Sequence, residues 1–338
     1  MNFWRRPLAV FSFVLLLLNA TAIEKVSRNP YLGAIVVDDA TGQVLFEDNA
    51  DGTGYPASVT KLMTFLVVMD QVKAGRLTLE TTVTVSAEAS RTGGSQVYLK
   101  QGEVFTVDDL LYALMIQSAN DAAVALAERV AGSKEAFVGL MNERARALGM
   151  TRTTFHSPHG LPPGKGQQVD VTTARDLSLL ARELIDHDDV LRYSSVKVRM
   201  LRAGTTNPFE MRNHNHLLGK LPGCDGLKTG FFTAGGFSLA ATAERNGRRV
   251  IVVVLGSEAS KTRDFKVMEL MEKGFAAMPT HLPTVSTGPA PAAKAPVAGL
   301  PAGGTLPSVQ TAPAGQTSTP AEPVLTFRVI PPTPTKKP

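Results

Sequence analysis

Three short motifs constrain this 338-residue chain more than anything else in it: Ser58-Val59-Thr60-Lys61, Ser118-Ala119-Asn120 and Lys228-Thr229-Gly230. They lie far apart in the chain, so a fold in which they act together must bring distant segments to one place. A serine hydroxyl is a weak nucleophile near neutral pH and needs a positioned base, and a lysine three residues on shares its helix face. Ser58 and Lys61 therefore read as nucleophile and base. For that role the Lys61 ammonium must lose its proton easily, which partial burial and a second nearby cation such as Lys228 both promote. Pro56 suits a first helical turn, and Leu62, Phe65, Leu66 and Met69 recur with helical period after it. This predicts Ser58 near a helix N-terminus, where partial positive charge favours developing negative charge.

Each motif alone also fits a solvated turn or a helix cap; their conjunction and order carry the reading. The third sits in Cys224-Asp225-Gly226-Leu227-Lys228-Thr229-Gly230-Phe231-Phe232, a glycine-punctuated segment that reads as an edge strand beside which a substrate backbone can lie. With lysine as base, no Ser-His-Asp triad is required. The scattered histidines form no metal-ligand pattern, and no metal or other cofactor is expected.

The surrounding residues make the likeness specific. Pro56 to Thr64, Ser118 to Ala122 and Asp225 to Thr233 resemble the D-alanyl-D-alanine carboxypeptidase family of low-molecular-mass penicillin-binding proteins, which carries the S-x-x-K, S-x-N, K-T-G set. Pro158-His159-Gly160-Leu161 and Thr172-Thr173-Ala174-Arg175-Asp176 resemble its H-G-L and S-T-A-R-D segments, and Asn213 to Leu218 its N-x-N-x-L-L element. The likeness runs from about Tyr31 to Phe275.

That resemblance implies a mechanism. Ser58 attacks the carbonyl between two D-alanines at the end of a peptidoglycan stem peptide, Lys61 takes its proton, and water resolves the acyl-enzyme. The backbone N–H groups of Ser58 and Phe231, beside Gly230, form the oxyanion hole. Ser118 relays a proton to the leaving amine, Asn120 binds the peptide amide, and Lys228 and Thr229 hold the terminal carboxylate together with Arg263, whose planar fork suits it. β-Lactams are implied as covalent inhibitors. His214 stands where certain relatives carry an arginine, leaving a site role and a satisfied surface histidine both open. His159 reads as a loop-structuring residue.

Three other functions share parts of this pattern. A class A β-lactamase needs a glutamate, usually in E-x-x-x-N, and that spacing does not occur here. A D,D-endopeptidase cutting peptidoglycan cross-links differs only in how open the cleft is. A noncatalytic peptidoglycan-binding protein is opposed by the intact Ser58, Lys61, Ser118 and Lys228.

The ends of the chain differ from its middle. Residues 1–22 contain Arg5-Arg6, an apolar run from Leu8 to Leu18 and Ala20-Thr21-Ala22, the pattern of a cleavable signal peptide, with a retained anchor as the alternative. No transmembrane anchor is expected after cleavage, and the mature chain is placed in the periplasm or secreted. Loss of Arg5 and Arg6 lowers the formal charge of +5 by two, too mild a balance to argue for nucleic acid. Cys224 is the only cysteine, so no internal disulfide forms, and it reads as a packed residue. Residues 279–338 are rich in Pro, Ala, Thr, Ser and Gly, and read as a disordered tail of unknown partner. The family's best-known members carry a β-rich second domain and an amphipathic membrane helix there instead. Residues 23–278 are thus the expected catalytic domain.

Within it the pattern is strands, helices, strands. Gly33–Asp38 and Gln43–Glu47 flank a turn, as do Phe237–Ala243 and Arg249–Leu255 around Asn246-Gly247. Helices are predicted over Ser58–Val72, Val107–Gln117, Asp121–Ala131, Lys134–Leu148, Thr173–Asp186 and Ser260–Ala277. Thr106 with Asp109 caps the second, and Gly132 and Gly149 stop the third and fourth. The expected fold is α/β of the α+β type: an antiparallel sheet from both chain ends, flanked by helices, with an inserted helical subdomain and the site between them. This is the penicillin-binding-protein/β-lactamase-like transpeptidase fold.

Overall fold

The computed structural model describes residues 23–278 apart from 165, 187 and 188. The signal-peptide and tail readings, residues 1–22 and 279–338, lie outside the described residues. Five strands form the main sheet: β1 (Gly33–Asp38), β2 (Val44–Asp48) and, from the far end of the chain, β7 (Cys224–Phe232), β8 (Gly236–Arg245) and β9 (Arg248–Ser257). Their order is β2-β1-β9-β8-β7, all neighbours antiparallel. The sheet is built from both chain ends, as expected, and β7 with its Lys228-Thr229-Gly230 is an edge strand.

Both faces of this sheet are covered, which explains the unbroken apolar run of β9. Val250, Val252 and Val254 face one core with Ala34, Val36, Leu239 and the inner side of α8 (Ser260–Ala277). Ile251, Val253 and Leu255 face the other, with Ile35, Val37 and the helical block. Alternate residues of a strand point to opposite faces, so a strand buried on both reads as continuously hydrophobic. Gly274 lets α8 sit close: a Cβ there would lie 2.8 Å from both Val36 and Val250 methyls.

The helical block holds α1 (Lys61–Lys73), α2 (Ala87–Arg91), α3 (Val107–Tyr112), α4 (Asn120–Ala131), α5 (Lys134–Ala147), α6 (Ala174–Asp186) and α7 (Val190–Ser194). Two small ribbons flank it: β3 (Thr82–Thr84) with β4 (Val104–Thr106), and β5 (Val198–Leu201) with β6 (Phe209–Arg212). Helix α1 is more deeply enclosed than its predicted stripe. Every residue from Lys61 to Met69 is buried, because α4, α5 and α6 surround it. A 3₁₀ turn over Ala57–Thr60 precedes it and carries Ser58.

The predicted helix over Val107–Gln117 changes character midway. Thr106 and Asp109 cap it reciprocally, at 3.1 Å from Asp109 N–H to Thr106 Oγ1 and 3.0 Å from that hydroxyl to Asp109 Oδ2. After Tyr112 the turn widens to i→i+5 spacing over Ala113–Gln117, and Ser118 closes it in the left-handed conformation, φ 60°. The wide turn sets Ser118 apart from the helix axis, at the start of α4. Gly132 ends α4 with φ 78°, its N–H bonded to Glu128 O, and Gly149 follows α5 with φ 75°.

Among the described residues no helix is long and apolar enough to cross a membrane. Phe65 is fully enclosed beneath the site and meets Tyr193 edge to face, with ring centroids 5.3 Å apart. We expect Phe65→Ala to cost about 3–5 kcal/mol in denaturant unfolding. Phe265 on α8 is 60% exposed, and Phe265→Ala should stay within about 0.5 kcal/mol of the parent. Equal losses at the two positions would refute this account of the core.

Candidate active site

The approach of β7 to the 3₁₀ turn makes the site. Gly230 is the point of contact: a Cβ there would lie 2.4 Å from Pro56 O and 3.1 Å from the Ser58 nitrogen, so only glycine lets strand and turn meet. On the other flank, Gly160 has φ 78°, and a Cβ would lie 1.9 Å from Ala57 O. Ala57 itself holds a left-handed φ of 49°, a cost of about 1 to 3 kcal/mol that the flanking strand and loop stabilise. The serine turn is thus gripped from two sides.

Lys61 Nζ lies 3.0 Å from Ser58 Oγ, 2.7 Å from Asn120 Oδ1 and 2.7 Å from the His159 carbonyl oxygen. Lys61 is wholly buried, and burial first, then the charge of Lys228, holds its ammonium well below the ordinary lysine range. A neutral amine has two N–H donors and one lone pair. The His159 carbonyl can only accept. Asn120 also presents its oxygen, because its Nδ2 donates to Gly93 O at 2.7 Å and so fixes which way the amide faces. Both amine protons are then committed, and the lone pair is left for the Ser58 hydroxyl proton.

A cavity of about 420 Å³ opens in front of this group, lined among others by Ser58, Ser118, His214, Thr229, Phe231 and Arg263. Lys61, Asn120 and Lys228 do not line it; they are buried around its floor. All nine residues named from the sequence are therefore in or beside one site. Ser118 Oγ is buried without a hydrogen-bond partner in the free protein, which leaves it free to bond an incoming group. Among the described residues Lys228 bonds its neighbour's carbonyl, Thr229 O, at 3.1 Å, and burial followed by the charge of Arg263 lowers its ammonium to about 7.

Two assignments gain detail. Asn120, expected on the peptide amide, has both ends of its own amide engaged, on Lys61 and Gly93, and so also orients the base. Arg263 lines the cavity but gives its Nε–Nη2 edge to Asp264, at 2.9 and 2.6 Å. Its Nη1 also donates to Ser238 O at 3.5 Å, which leaves one N–H on each of Nη1 and Nη2. His214 lines the cavity too; burial, then Lys228, lowers its imidazole to about 4, so it is neutral near pH 7. His159 braces its loop, as expected: its Nδ1 accepts from Leu161 N–H at 3.1 Å, and burial holds it neutral, at about 3. Cys224 is partly buried, and burial raises its thiol.

Several residues of the family-like segments, given no role from the sequence, brace the site. Asp121 accepts from the N–H groups of Val97, Leu99 and Ala122 and so holds the segment carrying Gly93 and Ser95. Asn213 and Asn215 tie their loop to Ser194 O, Val196 O and Gly226 O. Asp176 bonds Arg152 N–H and Thr153 Oγ1, which gives the T-T-A-R-D segment a bracing role. Among the described residues no cluster of three or more His, Cys, Asp or Glu side chains is placed to hold a metal.

The electrostatics give a testable sign. Lys228 disfavours the Lys61 ammonium, so removing its charge must raise the Lys61 pKa and confine the basic form to higher pH. We expect Lys228→Met to move the Lys61 titration midpoint upward, read from the Cε resonance of ¹³C-lysine-labelled protein. A midpoint that stays or falls would show that the charge of Lys228 does not lower it.

Residues 30–259 match the family model described as D-alanyl-D-alanine carboxypeptidase. The chain is 40% identical over 291 residues to D-alanyl-D-alanine carboxypeptidase DacC of Escherichia coli, covering 82% of this chain and 70% of that one. It is 35% identical over 248 residues to DacF of Bacillus subtilis, covering 73% of this chain but 63% of the relative, so it spans under two thirds of that protein. Its fold matches penicillin-binding protein D2 of Listeria monocytogenes, solved in an ampicillin-bound form, with a TM-score of 0.65 and 35% identity over 73% of this chain and 97% of that one. With the serine, lysine and K-T-G strand assembled as described and the match spanning most of its length, this chain belongs to the D-alanyl-D-alanine carboxypeptidase family.

Proposed function

We propose that this chain is a serine-type D-Ala-D-Ala carboxypeptidase that removes the terminal D-alanine from peptidoglycan stem pentapeptides, acting in the periplasm or outside the cell during cell-wall remodelling. The observation that carries this reading is the proton count at Lys61: two neutral acceptors hold its N–H groups and its lone pair is left to Ser58. Family membership supports the substrate.

The reaction follows from these positions. Ser58 Oγ bonds to the carbonyl carbon of the penultimate D-alanine as its proton passes to Lys61 Nζ. The carbonyl oxygen becomes an oxyanion, held by the N–H groups of Ser58 and Phe231, each donor worth about 3 to 4 kcal/mol of barrier. The C–N bond then breaks, and the leaving nitrogen takes a proton from Lys61 through Ser118 Oγ, whose unpartnered hydroxyl suits a relay. Lys61, neutral again, draws a proton from water as the water oxygen adds to the ester carbonyl, and returns it to Ser58 Oγ as the acyl C–O bond breaks. The terminal carboxylate sits between Thr229 and Arg263, whose Nη1 and Nη2 each keep one N–H beyond their bonds to Ser238 O and Asp264, with buried Lys228 behind. Phe231, 54% exposed and stacked on Phe237 at 4.1 Å, forms an apolar rim.

Purified protein incubated with pentapeptide muropeptides should release free D-alanine, and a fluorescent penicillin should label it at Ser58 and leave Ser58→Ala unlabelled. Cleavage of cross-linked dimers with pentapeptides left intact would replace this reading with the endopeptidase one. Penicillin labelling without turnover of either substrate would favour a binding protein.

Arg263 provides a second check. Arg263→Ala should weaken turnover of the free-acid pentapeptide by about 1.5 to 3 kcal/mol in kcat/KM, the range for a charged hydrogen bond. The corresponding C-terminal amide should be affected far less; equal losses would make Arg263 a packing residue.

A further inference from the structure

The Lys61 carbonyl acceptor, His159 O, belongs to a loop, and a loop must be held if it is to aim an acceptor within tenths of an ångström. The segment Asp170–Thr172 does that holding. Its main chain bonds to both neighbours at once. Thr172 pairs with Gly54 at 2.8 and 2.9 Å, just before the serine turn, and Val171 pairs with Thr154 at 3.0 Å in both directions, just before the H-G-L loop. The Asp170 side chain repeats the bridge. Its Oδ2 accepts from Thr60 Oγ1 at 2.9 Å, the residue beside Lys61, and from Ser157 Oγ at 3.1 Å; its Oδ1 accepts from the N–H groups of His156 and Ser157 at 2.6 and 3.0 Å. Ser157 Oγ in turn accepts from Gly160 N–H at 2.8 Å, the residue after His159. Asp170 is 4% exposed, and every one of its four partners is a donor.

We propose that Asp170 is a positioning residue for this chemistry: it locks the Ser58–Lys61 turn to the loop that presents the His159 carbonyl, and its charge belongs to the field that sets when Lys61 accepts the Ser58 proton. The geometry gives it both roles through one carboxylate. The charged groups facing Lys61 come from three elements. Lys228 on β7 opposes the ammonium, while Asp121 on α4 and Asp170 favour it. The nearby imidazoles of His159 and His214 are neutral. Asp121 spends its carboxylate on the backbone of residues 97, 99 and 122. Asp170 alone of the two is bonded to the turn that carries the nucleophile and base.

The sign follows. Burial raises the Asp170 carboxyl and its donors oppose that rise. Ionised, it restrains the loss of the Lys61 proton that burial and Lys228 drive. Asp170→Asn keeps the shape: Oδ1 still accepts from His156 and Ser157, and the hydroxyls of Thr60 and Ser157 can turn to accept from Nδ2. It removes only the charge. Ser157→Ala does the reverse, keeping the charge and cutting the link to Gly160.

The inference rests on the carboxypeptidase reading for its purpose but not for its test. In ¹³C-lysine-labelled full-length protein, with the Lys61 resonance assigned from Lys61→Arg, Asp170→Asn should lower the Lys61 midpoint. Ser157→Ala should leave that midpoint in place and slow acylation of Ser58 by benzylpenicillin roughly tenfold or more, as a displaced acceptor misaims the base. A midpoint that is unchanged or raised in Asp170→Asn, or full acylation rate in Ser157→Ala, overturns the assignment. If Asp170→Asn does not fold, Thr60→Val joins Ser157→Ala as the test, since both spare the carboxylate and each cuts one tether. If the parent takes up no penicillin at all, the carboxypeptidase reading fails while the Lys61 titration still decides the role of Asp170.

Discussion

A lysine buried at the first turn of α1 with three neutral oxygens around it is the constraint on which this structure turns. Desolvation of an ammonium costs several kcal/mol unless a counter-charge or proton loss offsets it, and the groups that touch Lys61 Nζ are a hydroxyl, an amide and a backbone carbonyl. The fold therefore drives Lys61 toward its neutral form, and Lys228 pushes the same way. The same burial that would be a liability in a structural lysine suits this one to accept a proton. Each of the three oxygens comes from a different part of the chain, so this environment exists only when those parts are packed together.

Holding those three parts in register explains features that otherwise look incidental. Gly160 and Gly230 let a loop and a strand press on the serine turn from opposite flanks, at distances no side chain would allow. The widened turn before Ser118 and its left-handed backbone bring that hydroxyl to the cavity while α4 starts with Asn120. Asp121 and Asp170 tie down the loops that supply Gly93 O and His159 O. Buried carboxylates bonded only to donors fix geometry as well as charge.

The cavity in front is lopsided in charge. Arg263 lines it and Lys228 sits behind it, with Asp264 compensating one edge of the guanidinium and Ser238 O accepting from Nη1 at 3.5 Å. Two like charges close together destabilise the free protein and are relieved when an anion binds between them. The edge position of β7 adds unpaired backbone groups along the same wall, suited to an extended peptide.

Much of this was legible in the residues themselves. The strand Gly33–Asp38 and the helix Ser260–Ala277 have the bounds that alternation and helical period assign them, because a buried face imposes its period on the sequence over several turns. β3 to β6, α2 and α7, each of three to five residues and so fewer than two helical turns, leave little mark in the sequence, whereas five-residue β2 is legible because it pairs with β1 across a recognisable turn. Ser58, Lys61 and Lys228 stand out in the sequence because serine acyl transfer demands those side-chain types in that order and spacing. What only the tertiary structure decided is which atoms aim them. A backbone carbonyl such as His159 O or Gly93 O exists at every residue and leaves no mark in the sequence. Asp170 resembles any other aspartate until the chain folds it between Thr60 and Ser157. The direction of the Lys61 lone pair is a count of donors and acceptors drawn from four separate segments, and only their packing brings that count together.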